Sequence, residues 1–351
     1  MEFFASILYN QTMETCNLCP RKCGLTRPEH RIDNPAETRT FGYCGEGQTM
    51  RISRAALHFW EEPCISGING SGAIFFTGCN LRCIYCQNAA ISENGTGREV
   101  TPEELCDIFF DLKSQGAHNI NLVTPSHFVP EIKKAILLAK ERDFDLPFVY
   151  NTSSYESVDT IRSLDGLIDI YLPDFKYMDP GMAALYSHAS NYPEIAKAAI
   201  DEMMRQIPFA TFTSAPEASL TKAASGIAGD SEITLMKKGV IIRHLLLPLG
   251  VKNAVSVIDY LSGRYGKDVY LSLMSQYTPL YDVPGALTDA QKKRLAPFPE
   301  LHRKVTKREY NKIVQHCMDM GLNNVFIQEG DVAKESFIPQ FPSREHSSFH
   351  D

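Results

Sequence analysis

From Gly72 onward, the chain alternates short runs of apolar residues with amphipathic segments of helical length. In the segment 102-PEELCDIFFDLKSQG-116, Thr101 supplies a cap and Pro102 a first residue suited to a helix start. Runs that are apolar on both faces fit a parallel sheet covered by helices. We therefore predict an α/β fold of repeated β/α units that form an incomplete barrel. The candidate strands are 73-AIFFT-77, 119-NINLVT-124, 147-PFVYNT-152, 168-IDIYLP-173, 239-GVIIRHLLLP-248, 269-VYLSLM-274 and 324-NVFIQ-328.

The stretch 78-GCNLRCIYCQN-88 holds three cysteines, Cys79, Cys83 and Cys86, without a fourth. Because it follows the first candidate strand directly, it should lie at the C-terminal ends of the strands, where folds of this kind hold their active groups. A 4Fe-4S cluster has four irons, so three thiolates leave one iron open to another ligand. The alternative is a structural zinc loop that a ligand from elsewhere completes.

A second cysteine cluster lies near the N-terminus, in the segment 15–47, and consists of Cys16, Cys19, Cys23 and Cys44. Glycines and prolines surround these cysteines, so we expect little helix or strand here and a metal in place of an apolar core. Four sulfurs suit either zinc or an iron-sulfur cluster, and the spacing does not separate the two. Four unligated thiols are the remaining alternative.

The composition indicates the size of the domains, the class of partner and the cellular compartment. The chain has 351 residues, of which 44% are hydrophobic, enough for one large domain and a smaller one. The net charge of -7 gives no global attraction to nucleic acid or to an acidic membrane surface. We expect a cytoplasmic protein, since neither a secretory signal pattern nor a run of about 20 apolar residues is found. Ten cysteines in a reducing compartment favour metal ligands over disulfides, while the isolated Cys64, Cys106 and Cys317 are expected to be small core residues.

The Cys-x3-Cys-x2-Cys loop resembles the cluster loop of the radical S-adenosylmethionine enzymes. Further stretches resemble signature segments of the pyruvate formate-lyase activating enzyme-like proteins within that superfamily: 66-SGINGSGAIFFTGCNLRCIYCQN-88, 121-NLVTPSHF-128, 169-DIYLPDFKY-177, 240-VIIRHLLLP-248 and 271-LSLMSQYTP-279. The segment 16-CNLCPRKCG-24 is typical of a subgroup described only as candidate activating enzymes, and the resemblance extends to 324-NVFIQEGDVAKESFIPQF-341. It implies a partial (β/α)6 TIM-like barrel with a small N-terminal cysteine-rich metal-binding module.

The resemblance implies a 4Fe-4S cluster on Cys79, Cys83 and Cys86, with S-adenosyl-L-methionine bound to the open iron. In that superfamily the reduced cluster cleaves a carbon-sulfur bond of S-adenosylmethionine, and the resulting 5'-deoxyadenosyl radical abstracts hydrogen. Our hypothesis is an oxidoreductase that acts on a protein or peptide substrate, with a glycyl radical enzyme as one candidate target. A flavodoxin- or ferredoxin-type protein would donate the electron. The alternatives are a radical enzyme that modifies a small molecule and a non-catalytic iron-sulfur protein.

The second and third candidate strands end in residues that depart from the activating enzymes. A Gly-Gly-Glu type segment normally holds the amino group of the cofactor's methionine, and the corresponding stretch here is 123-VTPS-126. The hydroxyls or backbone carbonyls of Thr124 and Ser126 are therefore the candidates for that contact. Asn151 lies where activating enzymes have an aspartate, and the loss of that acid weakens the prediction of a bound monovalent cation.

Two further strand ends supply charged candidates. Asp174 and Lys176 are similar to the Asp-x-Lys of activating enzymes, in which the lysine can pair with the cofactor's carboxylate and the aspartate can bind ribose or a nearby cation. The alternative is an exposed ion pair, because residues two apart on a strand share a face. Arg243 and His244 are adjacent, so one of them should face the barrel interior and could reach the adenosyl group, while the other belongs to the outer layer.

These segments suggest a domain organisation. We assign residues 1–65 to the cysteine-rich module, residues 66–341 to the barrel and residues 342–351 to a tail. Residues 207–236 are rich in Ala, Ser, Thr and Gly and are predicted to be a surface insertion, with a lid or docking element over the strand ends as the alternative.

Overall fold

Ten strands form a single sheet in the part of the chain that the computed structural model describes, which is residues 15–30, 42–93, 95–214, 234–281, 283 and 285–328. In chain order they are β1 (Met50–His58), β2 (Ser71–Phe76), β3 (Arg98–Val100), β4 (Ile120–Val123), β5 (Phe148–Thr152), β6 (Ile170–Pro173), β7 (Thr211–Ser214), β8 (Thr234–Leu245), β9 (Tyr270–Met274) and β10 (Asn324–Ile327).

Seven of these strands lie side by side and parallel, in the order β10-β9-β8-β6-β5-β4-β2. Strand β1 continues the row antiparallel to β2, β3 follows antiparallel to β1, and β7 pairs antiparallel with the start of β8. Among the described residues the sheet does not close, since β3 and β10 are its two ends. The prediction of an α/β fold with an incomplete parallel barrel is therefore confirmed.

Helices connect the parallel strands. Within the described ranges they are α1 (Pro63–Ser66), α2 (Ala89–Ser92), α3 (Pro102–Ser114), α4 (Val129–Glu141), α5 (Val158–Arg162), α6 (Pro180–Ser187), α7 (Tyr192–Gln206), α8 (Val251–Tyr265), α9 (Asp289–Leu295) and α10 (Lys307–Asp319). Short 3-10 turns occupy Ser126–Phe128 and Pro299–His302. None of the helices in the described ranges is both long and apolar enough to cross a membrane.

Helix α3 begins where the sequence predicts. The Thr101 side chain accepts a hydrogen bond from the Glu104 backbone N–H, the Glu104 carboxylate accepts one from the Thr101 N–H, and Pro102 occupies the first turn. This capping box satisfies two backbone donors that the first turn would leave unpaired, and such a cap contributes about 1 kcal/mol. The helix buries Leu105 and Phe109 against the sheet, as its amphipathic pattern requires.

The parallel strands bury apolar residues on both faces, which explains why their sequences lack a polar alternation. One face packs under the connecting helices in a large core, and the other forms a smaller cluster that includes Val149, Leu172 and Ile241. Helix α1 belongs to this smaller cluster through Cys64 and Ile65. The segment before β2 therefore fills the inside of the barrel. Cys64, Cys106 and Cys317 are all buried, as expected of core residues.

Strand β1 is a difference from the sequence prediction. It pairs with β2 from Ile52 opposite Phe76 to His58 opposite Ser71, although it lies on the N-terminal side of the boundary expected at residues 65 and 66. Its sequence, MRISRAALH, mixes two arginines with apolar residues, so it has neither the continuous apolar run of the parallel strands nor a regular alternation. The barrel sheet thus includes a strand that the sequence pattern assigns to the N-terminal module.

The predicted insertion at 207–236 is described at its two ends. Strand β7 pairs with the first residues of β8, from Thr211 opposite Lys238 to Ser214 opposite Thr234, so β8 begins five residues before the predicted strand. Residues 215–233, the closing segment from 329 and the predicted tail at 342–351 lie outside the described residues.

Candidate functional site

The three-cysteine loop (residues 78–88) leaves the C-terminal end of β2, beside the ends of the other parallel strands. Each of its cysteine sulfurs accepts a hydrogen bond. Cys79 Sγ accepts from the Leu81 N–H at 3.3 Å, Cys83 Sγ accepts from the Ser187 hydroxyl at 3.1 Å, and Cys86 Sγ accepts from the Ser92 hydroxyl at 3.6 Å. Donors directed at sulfur stabilise thiolates and tune the iron-sulfur clusters that thiolates bind.

The electrostatics of the loop favour a cationic ligand. Burial, and to a smaller extent the nearby Cys83 and Cys79, raise the pKa of Cys86 to about 12. Burial also raises the pKa of Cys79, and Cys83 adds to the increase. Because three thiols this close repel one another when ionised, they need a bound cation to be thiolates together. The donor set therefore fits an iron-sulfur cluster.

Within the described ranges, no three His, Cys, Asp or Glu side chains are arranged around a position for a single metal ion. A four-iron cluster binds each thiolate to a different iron, so its cysteines stand further apart than the ligands of one zinc ion. The three-cysteine loop, with three sulfurs and three hydrogen-bond donors, has a donor set that could hold such a cluster.

Arg243, near the end of β8, connects several polar side chains inside the barrel. Its Nη1 donates to Glu61 Oε2 at 2.9 Å, its Nη2 to Asn151 Oδ1 at 2.6 Å, and its Nε to Asp174 Oδ1 at 2.8 Å. The Lys176 ammonium completes the set by donating to Asp174 Oδ2 at 2.7 Å. We call these five residues the barrel charge network. It contains two cations and two anions whose side chains are all 16% exposed or less, so each charge has a partner of opposite sign.

Asp174 and Lys176 form an ion pair, which the sequence offers as the alternative to cofactor binding, but it is not an exposed one. Their side chains are 16% and 15% exposed. Burial alone would raise the pKa of Asp174, but the charges of Arg243 and Lys176 outweigh it and hold the pKa below its usual range. Burial acts to lower the pKa of Lys176, and Asp174, with a smaller contribution from Cys83, raises it instead. Lys176 is thus a fixed cation within electrostatic range of the three-cysteine loop.

Arg243 and His244 point to opposite faces of β8. Arg243 reaches into the barrel, whereas His244 is buried with its Nδ1 2.7 Å from the backbone carbonyl of Phe175. Burial lowers the pKa of His244 to about 4, so its ring is neutral and Nδ1–H donates to that carbonyl. Of the two adjacent candidates, the structure brings only Arg243 into the barrel charge network.

Thr124 and Ser126 follow β4, as predicted, but they are not placed alike. Thr124 has a left-handed backbone with φ 59° and donates its N–H to the carbonyl of Asn151. Ser126 is buried, and its hydroxyl donates to the carboxylate of Glu156. The Ser126 hydroxyl is therefore already used within the protein.

Glu156 is a buried acid that the sequence reasoning missed. The hydroxyls of Ser126 and Thr152 both donate to its Oε1. Burial raises the pKa of Glu156 to about 7, although these hydrogen bonds oppose the increase. An acid in the polar run 151-NTSSYES-157, directly after a buried strand, was the signal that could have identified it.

The barrel charge network also contains an acid that was not predicted. Glu61 precedes helix α1, and its Oε1 accepts hydrogen bonds from Asn121 at 3.0 Å and Asn151 at 3.3 Å. Its neighbour Glu62 is buried as well, and burial raises the pKa of that carboxyl, although Arg243 opposes the increase. The sequence around Glu61 and Glu62 does not have the residue spacing that is typical of a binding site.

The four-cysteine module (residues 15–30 and 42–49) contains no helix or strand in its described residues, as expected. Cys16 pairs through its backbone with Gly24 and Leu25, and Cys23 Sγ accepts from the Tyr43 N–H at 3.3 Å. Burial raises the pKa of Cys19 to about 12, and Cys44 and Cys16 contribute to the increase, so these three sulfurs lie near one another. The module is rich in thiols but is not arranged around a single ion.

Residues 73–214 match the family model described as the Radical SAM superfamily. An uncharacterized protein of Methanocaldococcus jannaschii, MJ0674, is 23% identical over 321 residues, which are 89% of this chain and 77% of that protein.

Among solved structures, native anSMEcpe with bound AdoMet and Cp18Cys peptide has a TM-score of 0.44 at 11% identity, over 71% of this chain and 60% of that one. Streptococcus suis SuiB bound to the precursor peptide SuiA has a TM-score of 0.43 at 12% identity, over 72% of this chain and 46% of that one. The chain thus spans less than two thirds of the length of these two structures. Residues 73–214, which are less than half of this chain and include the three-cysteine loop, are thus similar to the radical SAM superfamily.

Proposed function

We propose that this chain is a radical S-adenosylmethionine enzyme that holds a 4Fe-4S cluster on Cys79, Cys83 and Cys86. The observation that carries the proposal is the three-cysteine loop directly after β2, in which every cysteine sulfur accepts a hydrogen bond and a fourth cysteine is missing. When bound, such a cluster supplies the electron that cleaves S-adenosylmethionine to give a 5'-deoxyadenosyl radical. The match of residues 73–214 to the Radical SAM superfamily model supports an enzymatic role.

The barrel charge network would hold the cofactor's amino acid group. Lys176 is the cation best suited to its carboxylate, because Asp174 keeps Lys176 charged in spite of its burial. Arg243 in turn keeps Asp174 ionised and fixes its orientation through the bond from Nε. These residues provide binding and orientation, and the protein need not supply a proton to S-adenosylmethionine.

For the substrate, we propose a protein or peptide, with a glycyl radical enzyme as the first candidate. This rests on the resemblance of the strand-end segments to the pyruvate formate-lyase activating enzyme-like proteins. The setting is cytoplasmic, with a flavodoxin- or ferredoxin-type electron donor. We also propose that Cys16, Cys19, Cys23 and Cys44 bind a second 4Fe-4S cluster or a zinc ion. The charges of Cys16 and Cys44 add to the raised pKa of Cys19, which supports a bound cation, and a zinc ion would require the four sulfurs to move closer together than they lie in this structure.

The test of the main proposal is anaerobic reconstitution with iron and sulfide, followed by dithionite and S-adenosylmethionine. The wild-type protein should produce 5'-deoxyadenosine, and Cys83→Ala should not. Cys106→Ala, which changes a buried cysteine in the core of helix α3, is the matched control and should keep the activity. An intact cluster without 5'-deoxyadenosine would refute the proposal.

Substrate class and the second metal need separate measurements. Incubation with a glycyl radical enzyme should give a glycyl radical signal in electron paramagnetic resonance, whereas a small-molecule substrate would instead give a new product mass. Metal analysis of a variant without Cys79, Cys83 and Cys86 should still find iron or zinc. Finding neither would refute a metal centre in the four-cysteine module.

A further inference from the structure

The four-cysteine module packs directly against the three-cysteine loop. Gly78 opens that loop with φ 76°, and a Cβ at this position would lie 2.5 Å from Glu46 Cγ and 2.8 Å from the Cys44 carbonyl. On the module side, a Cβ at Gly45 would collide with the Arg82 guanidinium. At Gly78 the Cys44 backbone leaves no room for a side chain, and Gly78 and Gly45 both have the left-handed backbone that favours glycine, with φ of 76° and 78°.

Arg21 is the side chain that joins the two cysteine segments. It lies between Cys19 and Cys23 in the sequence, and its Nε donates to the Asn80 carbonyl of the three-cysteine loop at 2.9 Å. Its Nη2 donates to the Leu81 carbonyl at 3.4 Å. A residue of the module therefore binds the backbone that connects Cys79 to Cys83.

The same guanidinium also binds the end of helix α6. Its Nη1 donates to the His188 carbonyl at 2.6 Å and its Nη2 to the Ser187 carbonyl at 3.0 Å. Ser187 is the residue whose hydroxyl donates to Cys83 Sγ at 3.1 Å. Arg21 thus contacts both the loop that carries Cys83 and the residue that holds the Cys83 sulfur.

The surroundings keep Arg21 in this position. Its guanidinium stacks over the ring of Tyr43, 3.8 Å from the ring centroid, and lies 5.0 Å from that of Tyr155. Tyr43 is the residue before Cys44, so the module supplies both the cation and the ring that covers it. Only arginine has a planar set of donors that can bind carbonyls on two segments at once, and a lysine ammonium cannot reproduce this geometry.

We infer that Arg21 is a positioning residue that couples the two cysteine centres. Metal binding by Cys16, Cys19, Cys23 and Cys44 would fix the turn that carries Arg21, and Arg21 would then fix the backbone around Cys83. The four-cysteine centre therefore supports the three-cysteine loop mechanically, in addition to any part in electron transfer. This inference rests on the proposed function, since it assumes metal at both centres.

The test compares amide hydrogen exchange in the three-cysteine loop and the release of its iron to a chelator, under anaerobic conditions and on the full chain. In Arg21→Ala we expect faster exchange over residues 79–86 and about tenfold faster iron release, the scale seen when an outer partner of a metal ligand is lost. Arg21→Lys should restore only part of the protection. Arg264→Ala, which removes an exposed arginine paired with Asp201, should behave as wild type.

A double-mutant comparison separates coupling from ordinary packing. If Arg21 acts by transmitting the order of the four-cysteine centre, a Cys16→Ser, Cys19→Ser variant should speed exchange over residues 79–86 as much as Arg21→Ala does, and adding Arg21→Ala should cause no further increase. Exchange in helix α8 reports whether each variant is folded. Unchanged exchange in Arg21→Ala, or increases that simply add, would overturn the inference. A wild-type chain without iron on the three-cysteine loop would instead refute the proposed function.

Discussion

Glu61 and Arg243 are 182 residues apart in the sequence, yet Glu61 Oε2 accepts a hydrogen bond from Arg243 Nη1 at 2.9 Å inside the barrel. Glu61 comes from the segment that leads into helix α1, and Arg243 from β8 on the other side of the parallel row. Their side chains are 10% and 11% exposed. The segment before β2 therefore fills the inside of the barrel and also supplies an anion to the barrel charge network.

We predict that Glu61→Ala destabilises the protein by about 3–5 kcal/mol, because it leaves Arg243 with one buried anion fewer. Glu61→Gln should cost less, since the amide oxygen can still accept a hydrogen bond from Arg243. Urea unfolding of the two variants measures both effects. Glu131→Ala, which removes the partly exposed partner of Lys134, is the control and should change stability by less than about 1 kcal/mol. Equal effects of Glu61→Ala and Glu131→Ala would contradict the assignment.

Gly78→Ala should separate the four-cysteine module from the three-cysteine loop. The new Cβ would meet Glu46 Cγ at 2.5 Å, and left-handed backbone adds strain, so we expect a loss of about 3 kcal/mol or more in the free energy of unfolding. Gly166 has the same φ of 76° but no atom within 4 Å of its virtual Cβ, so Gly166→Ala measures the backbone strain alone, about 1 kcal/mol. Thermal unfolding of both variants compares them. If Gly78→Ala loses no more stability than Gly166→Ala, the contact of Gly78 with Glu46 and Cys44 can rearrange at little cost.

The parallel strands and the three-cysteine loop could be read from the sequence because both are local patterns. A run such as 168-IDIYLP-173 is apolar on both faces whatever it pairs with, and three cysteines within eight residues need no knowledge of the fold. The pairing of Asp174 with Lys176 was also within reach, because side chains two residues apart in an extended segment point to the same side. The ligands of the three cysteines, Asp174 and Lys176 stay predictions.

Contacts between distant segments could not be read in this way. Glu61 lies in 57-LHFWEEP-63, where nothing marks it as a partner of Arg243. Arg21 lies in the first cysteine cluster, but its acceptors are backbone carbonyls, which every residue carries and no sequence pattern reveals. The sequence also could not show that the hydroxyl of Ser126, a candidate for binding the cofactor, already donates a hydrogen bond to Glu156.

Glu156 should make stability depend on pH. Burial raises the pKa of this carboxyl to about 7, above its value in the unfolded chain, so the folded state holds the proton more tightly. The resulting stabilisation is complete below about pH 4.5 and is lost as the pH rises through about 7. Glu156→Gln carries no such proton, so its stability relative to wild type should increase by about 3 kcal/mol between pH 4.5 and pH 8. Chemical unfolding at several pH values measures this, with Glu131→Gln, at a partly exposed acid, as the control. Parallel pH profiles for Glu156→Gln and wild type would be inconsistent with a raised pKa.

Lys176 should decide the affinity for S-adenosylmethionine. Lys176→Met keeps an unbranched side chain of similar length but removes the charge that Asp174 maintains, so the carboxylate of the cofactor would lose its cation. We expect the affinity to fall about tenfold to a hundredfold, the worth of one charged hydrogen bond. Equilibrium dialysis with the reconstituted cluster measures the affinity directly. Lys293→Ala, on the exposed face of helix α9, should bind as wild type does. Removal of Lys176 also leaves Asp174 with Arg243 as its remaining cation, so a double variant tests the role of Asp174. If Lys176 makes the contact with the cofactor, the double variant Asp174→Asn, Lys176→Met should bind S-adenosylmethionine no more weakly than Lys176→Met alone. A further loss in the double variant would assign the cofactor contact to Asp174 instead.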